Sequence, residues 1–161
     1  MSGMNVKDMD GPESNRPIVG PNFTIMVPAE LVLQFIGQQQ EFRIKAGGFG
    51  FYGFSNKINY GNLDKAIKAF ENWDVANADV DHTHGIGLGY FFGAEYVLFV
   101  TRQWGISLEG NYFIGDAPFK MTGEYIGGTE SGPLETRAVD WQDSKIDFTG
   151  LEISIGVIIT P

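Results

Sequence analysis

From Phe23 onward the sequence alternates with a period of two over runs far longer than the about 5–6 residues of an ordinary soluble strand. Phe23, Ile25, Val27, Ala29, Leu31, Leu33 and Phe35 fall on one side of an extended chain, and Thr24, Met26, Pro28, Glu30, Val32 and Gln34 on the other. Successive side chains of a strand point to opposite faces, so this is a strand with one continuous apolar face. The pattern recurs after a turn at 37–40, with Phe42, Ile44, Ala46, Gly48, Gly50, Tyr52 and Phe54 opposite Arg43, Lys45, Gly47, Phe49, Phe51 and Gly53. It recurs over 85–100, where Ile86, Leu88, Tyr90, Phe92, Ala94, Tyr96 and Leu98 oppose Gly87, Gly89, Phe91, Gly93 and Glu95. After a turn at 101–103, Trp104, Ile106, Leu108, Gly110, Tyr112 and Ile114 alternate with Gly105, Ser107, Glu109, Asn111 and Phe113. A last strand over 145–160 sets Leu151, Ile153, Ile155, Val157 and Ile159 against Glu152, Ser154 and Gly156. The expectation is an all-β, antiparallel up-and-down meander of five long strands.

These lengths match a tilted membrane strand, which needs about 9–11 residues. The connections alternate short, long, short, long: 37–40, 59–84, 101–103 and 116–146. Acidity sits in the long ones, with net charges of −3 over 59–82 and −4 over 116–144 out of a total of −9. Short turns on one side and long polar loops on the other are the layout of a transmembrane β-barrel. Within the first long connection Asn62 precedes an amphipathic stretch, with Leu63, Ile67 and Phe70 on one face and Asp64 four residues before Lys68, so 63–73 is expected to be helical. In the second, 119–127 can extend the preceding strand. Residues 1–21, rich in Gly and Pro, read as a flexible loop or tail, and 22–161 as the β-barrel domain.

The face opposite the apolar one is mostly Gly and Phe with single charges in mid-strand, whereas a solvated sheet face would be rich in Lys, Glu, Thr and Ser. That composition suits the crowded inside of a narrow barrel. Glu30, Arg43, Lys45, Glu95, Glu109 and Glu152 all fall there by parity, and unpaired charges in such a place are costly, so they are expected to pair across a lumen. On the apolar face, Phe35, Phe42, Tyr96 and Trp104 lie near the short turns, and Phe23, Tyr52, Phe54 and Tyr112 near the long loops. Two aromatic bands with aliphatics between them are the girdles of a membrane barrel.

The stretches 46–52 (AGGFGFY), 85–96 (GIGLGYFFGAEY) and 147–157 (DFTGLEISIGV) give the chain a resemblance to small bacterial outer-membrane β-barrel proteins, typified by the OmpA transmembrane domain and OmpX. The resemblance covers about residues 22–160 and implies eight strands, a cleaved signal peptide and a final strand ending in an aromatic residue. This chain departs on all three. Its first fifteen residues hold no apolar core of a signal peptide, and it closes on Ile158, Ile159, Thr160 and Pro161. The expectation is a barrel that lacks upstream strands or is completed by other chains. Pro28 removes a ladder donor from a strand interior, which fits best on a sheet edge.

Other functions find less support. A net charge of −9 argues against nucleic acid. Without cysteine there is neither a disulfide framework nor a thiolate metal site. His82 and His84 are weak metal candidates, and Asp74, Asn77, Asp79 and Asp81 lack the glycine and spacing of an EF-hand loop. Thr83 and Gly85 flank His84 where a barrel lipid hydrolase would need a serine, and the glycines precede no helix as a phosphate loop would. No enzyme activity and no cofactor are expected. The sequence therefore reads as an outer-membrane barrel of structural or interaction role. Its partners would be outer-membrane lipid and, at the sheet edges, other protein chains. The competing reading is a soluble lipocalin-like barrel that holds a lipid or small apolar ligand under the 63–73 helix.

Overall fold

A computed structural model of the chain describes residues 5–7, 11–14, 16–20 and 23–159. In chain order the elements are β1 Asn5–Lys7, β2 Val19–Gly20, β3 Phe23–Ile36, β4 Gln40–Phe54, β5 Lys57–Ile58, α1 Tyr60–Glu71, β6 Val75–His84, β7 Gly87–Phe99, β8 Trp104–Gly128, β9 Glu135–Trp141, β10 Lys145–Asp147 and β11 Gly150–Ile159. The protein is mostly antiparallel sheet with one short helix, the class that the alternation predicts. The described residues fall into two compact units: one within Met1–Ile25, Phe51–Gly87 and Asp116–Phe148, the other within Met26–Gly50, Leu88–Gly115 and Thr149–Pro161.

The second unit is a five-stranded meander in the order β3, β4, β7, β8, β11. Its tight turns follow from local chemistry. Gly37 N–H donates to the Gln40 carbonyl at 2.8 Å, closing the β3–β4 turn. At the β7–β8 turn, Thr101 Oγ1 accepts from the N–H groups of Gln103 at 3.3 Å and Trp104 at 3.1 Å, and Val100 N–H donates to the Trp104 carbonyl at 2.9 Å. Strands joined by turns this short run antiparallel. Along β4 and β7 the partners count in opposite directions: Phe99 N–H meets the Gln39 carbonyl, Arg43 meets Glu95, and the Phe49 ring lies against Gly89. β11 is antiparallel to β8, with Leu151 opposite Tyr112 and Ile155 opposite Leu108. Among the described residues β3 pairs only with β4 and β11 only with β8, so Pro28 sits on an edge strand, where its missing N–H breaks no inner ladder.

The first unit is where the fold exceeds the expectation of loops. β8 continues well past Ile114, and its far half is flanked on one side by β6, Val75 to His84 against Gly128 to Phe119, and on the other by β9, Glu135 to Trp141 against Gly127 to Met121. The stretch 74–84, placed in a loop by its polar residues, is thus a strand, because its even positions Ala78 and Val80 go into a core while Asn77, Asp79 and Asp81 face out. The last strand is two strands, interrupted at 148–149. The described residues of the N-terminal stretch are held in the fold: β1 pairs with β10, β2 pairs with β5, and Val6, Pro12, Ile18 and Val19 are buried.

The helix starts earlier than Asn62 predicts. Asn59 is the cap, its side chain accepting from Asn62 N–H at 3.2 Å, and the helix ends at Asn72 in the left-handed conformation. Leu63, Ala66 and Ile67 are buried against the unit's core, the two larger ones worth roughly 1.5–3 kcal/mol each. Phe70 is exposed instead of sharing that face, and Asp64 accepts from the Ala78 backbone N–H at 2.9 Å, tying helix to β6. Trp73, Tyr125 and Trp141 pack nearby with tilted rings, and Arg137 lies 5.1 Å over the Trp73 ring and donates to Glu71 and Glu135.

Candidate functional site

The second unit's sheet has two unlike faces, and alternation along each strand creates both. On one face charges and phenylalanines are packed together. Glu95 is only 6% exposed and accepts from Arg43 at 3.1 Å and from Lys45 at 3.0 Å. Lys45 also donates to Glu109 at 2.8 Å, and Arg43 to Glu41 at 2.7 Å. Asn111 donates to Glu109 at 2.9 Å and Gln34 to Glu41 at 2.7 Å, so the acceptors of the network are themselves held. Beside this polar layer Phe49, Phe91 and Phe113 form a ring cluster with centroids 5.3–6.4 Å apart.

Glycine on β7 makes that layer compact. Lys45 and Phe49 belong to β4, Glu109 and Phe113 to β8, and β7 lies between them, so a side chain there would stand in the way. At Gly89 a Cβ would overlap the Phe49 ring and approach the Ile114 carbonyl at 2.6 Å; at Gly93 it would overlap the Asn111 side chain. Side chains from strands two apart therefore meet directly across the backbone of β7.

Of the six charges expected on this face, Arg43, Lys45, Glu95 and Glu109 come together. Glu30 and Glu152 do not join them. Both are exposed, on the edge strands β3 and β11, and neither forms a salt bridge with a described residue, because a neighbouring strand that could carry the partner is present on one side only. Glu41, absent from the expected set, belongs to the network. Its parity with Arg43 and Lys45 carried that information, although its place beside the turn concealed it.

The opposite face is apolar and open. Leu31 is 82% exposed, Ile155 78% and Tyr90 57%, and the same face carries Leu33, Phe42, Leu88, Phe92, Leu98, Ile106, Leu108, Ile153 and Val157, all exposed. The largest apolar patch on a typical soluble monomer is roughly 300–600 Å², and this face extends across all five strands of the second unit's sheet. Phe35, Phe42, Tyr96 and Trp104 are exposed at the tight-turn end. There Tyr96 donates its hydroxyl to Gln40 at 2.9 Å, an aromatic with its body apolar and its tip polar. A groove of about 320 Å³ lies between Phe35, Phe42 and Tyr96. Tyr112, at the other end of β8's share of this sheet, is exposed and packs against Phe92 with centroids 5.6 Å apart and rings tilted. In the first unit Phe23 and Phe54 are exposed and in contact, whereas Tyr52 is half-buried, covered by His84 at 5.0 Å.

The metal candidates belong to that first unit. His82 stacks on Phe119 at 4.9 Å and on His84 at 6.1 Å. Burial, with repulsion from His84 added, pushes the His82 imidazole below its ordinary range. His84 Nε2 is buried without a hydrogen-bond partner. Among the described residues no three His, Cys, Asp or Glu side chains gather into a metal site. Asn77, Asp79 and Asp81 alternate along β6, and strand geometry separates such positions by about 6.8 Å, too far to ring one cation. The protein's sequence matches no family model and no curated protein.

Proposed function

We propose that this chain is an outer-membrane β-barrel protein of structural or interaction role, with the second unit's apolar face against lipid and its long acidic connections in contact with the surroundings. One observation carries the reading: an exposed apolar face on five strands whose other face, on the three inner strands, is a packed network of paired charges. About ten residues at 3.3 Å each, tilted near 45°, give an apolar band of roughly 23 Å, close to the roughly 25 Å of outer-membrane barrels. Water would meet that face at the cost of several aliphatic and aromatic side chains per strand, and lipid meets it at none. Aromatics at the tight-turn end add support.

The lipocalin-like reading needs the reverse arrangement, with apolar side chains lining an interior and polar ones outside. Here Phe49, Phe91, Phe113 and the charges occupy the packed face. The test is fractionation of the expressed gene product. The expected result is recovery with outer membranes, resistance to alkaline carbonate, and release by detergent alone. A well-behaved monomer in plain buffer would refute the membrane reading and restore the binding barrel.

A further inference from the structure

We infer that the first unit holds a site for a divalent transition-metal ion of the zinc class, with the imidazoles of His82 and His84 and the side-chain oxygen of Asn56 as its donors and water in the remaining position. The inference uses the first unit alone and is independent of the membrane reading. His82 and His84 are the only two histidines of the chain. They stand two residues apart on β6, so alternation sends both rings to the side of the buried Ala78 and Val80. Asn56 follows the end of β4 and is itself buried.

His84 Nε2 and Asn56 Oδ1 are both buried without a hydrogen-bond partner among the described residues. Buried polar groups in a native fold are satisfied by protein, by ordered water or by an ion. Here the donor types favour the ion. Asn56 Oδ1 has lone pairs only, and each neutral imidazole offers one more. One ring nitrogen of His82 donates to the Asn56 backbone, which brings Asn56 beside the pair and leaves the other nitrogen with its lone pair. A metal-bound histidine is held in the same way, its second nitrogen donating to a carbonyl. The His82 and His84 ring centroids are 6.1 Å apart. At zinc–nitrogen distances of about 2.0–2.1 Å, two imidazoles on one ion have centroids about 5.2–6.4 Å apart, from tetrahedral to opposite positions. The pair can therefore share an ion without a shift of the strand.

Packing fixes both rings. His82 lies against the buried Phe119 with centroids 4.9 Å apart, and His84 against Tyr52 at 5.0 Å. That apolar wall keeps His82 in the neutral form that ligates metals. Among the described residues no third His, Cys, Asp or Glu side chain completes the set, since Asp79 and Asp81 face out. The third donor is accordingly an amide oxygen, and one position is left to water. Two imidazoles with neutral oxygen donors suit zinc, copper or nickel, whereas calcium and magnesium want carboxylates. Bound there, the ion ties β6 to the turn that follows β4.

The test takes the full chain without a histidine tag, strips it with a chelator, and dialyses it against zinc alone. Expected is one zinc per chain and a higher unfolding midpoint with zinc than without. His84→Gln should weaken binding by roughly a hundred-fold or more and Asn56→Ala by roughly ten-fold, and His82→Gln with His84→Gln should abolish the zinc-dependent rise in midpoint. X-ray absorption of the zinc-loaded wild type should show two imidazole ligands, which keeps the inference open to refutation even where a histidine variant does not fold. A wild-type chain that retains no stoichiometric zinc overturns the site and leaves water as the partner of the two buried atoms. A double histidine variant that binds zinc as tightly as the wild type, or an absorption spectrum with oxygen ligands alone, overturns it as well and assigns the ion to the acidic surface.

Discussion

Glu95→Gln tests the packed face most directly. The carboxylate is 6% exposed and accepts from two cations, at 3.1 and 3.0 Å. A hydrogen bond to a charged group contributes about 1.5–3 kcal/mol, so losing both would cost about 3–6 kcal/mol. Three features reduce that figure. Arg43 keeps Glu41, Lys45 keeps Glu109, and the amide oxygen of glutamine can still accept one of the two bonds. The expected net loss is about 2–3 kcal/mol. A double-mutant cycle with Lys45→Met isolates the pair, and the coupling should be about 1–2 kcal/mol. The assay is urea unfolding in detergent or lipid, followed by tryptophan fluorescence with Trp73 and Trp141 replaced by Phe so that Trp104 alone reports, with the midpoint converted through a common slope. A Glu95→Gln cost below about 0.5 kcal/mol together with zero coupling would mean that water reaches this carboxylate, and the two-faced description of the sheet would be wrong.

Gly89→Val should cost more than about 3 kcal/mol, read as loss of the folded band in unheated gels, because its Cβ has no room beside the Phe49 ring and the Ile114 backbone; Gly110→Ala, with nothing within 4 Å, should be neutral within about 0.5 kcal/mol. His82 favours its neutral form in the fold, since burial and then His84 lower its pKa against the pull of Asn56 and Asp81. The unfolded chain therefore binds the proton first, so this contribution to stability is whole above the ordinary histidine value of about 6.5 and is lost as pH falls through the lowered one; His82→Gln should flatten the acid limb of the midpoint-versus-pH curve, and an unchanged limb would count against it. Burial, then the hydrogen bond to Glu71, pushes the Tyr125 phenol up to about 12, so a wild-type minus Tyr125→Phe difference spectrum should show no phenolate near pH 10, and Glu71→Gln should bring the transition down.

Properties local to one strand are written in the amino-acid sequence. Alternation determines which side chains share a face, because parity along a strand is fixed by backbone geometry alone. Hence Arg43, Lys45, Glu95 and Glu109 were legible as one set, and Tyr90, Leu108 and Ile155 as the opposite one, before any register was known. The turns at 37–40 and 101–103 were legible for the same reason. Polar composition misled where a strand was half-covered by a helix: 75–84 resembles a loop until Leu63 and Ile67 supply the core that Ala78 and Val80 face. It misled again at Asn62, since Asn59 was an equally good cap and only the packing of Leu63 and Ile67 selects the start.

Pairing across space was decided by the tertiary structure. Whether an inner carboxylate finds a cation depends on which strand lies next to it and in what register, and neither is written in period-two alternation. Glu95 and Glu30 have the same parity and the same chemistry in the sequence. One lies on β7, next to β4 and its two cations, and the other on β3, with an open side. Alternation along one strand is enough to set the two faces, because the side-chain period is a property of a single chain. The neighbours were settled only in three dimensions, because hydrogen-bond register is a property of two.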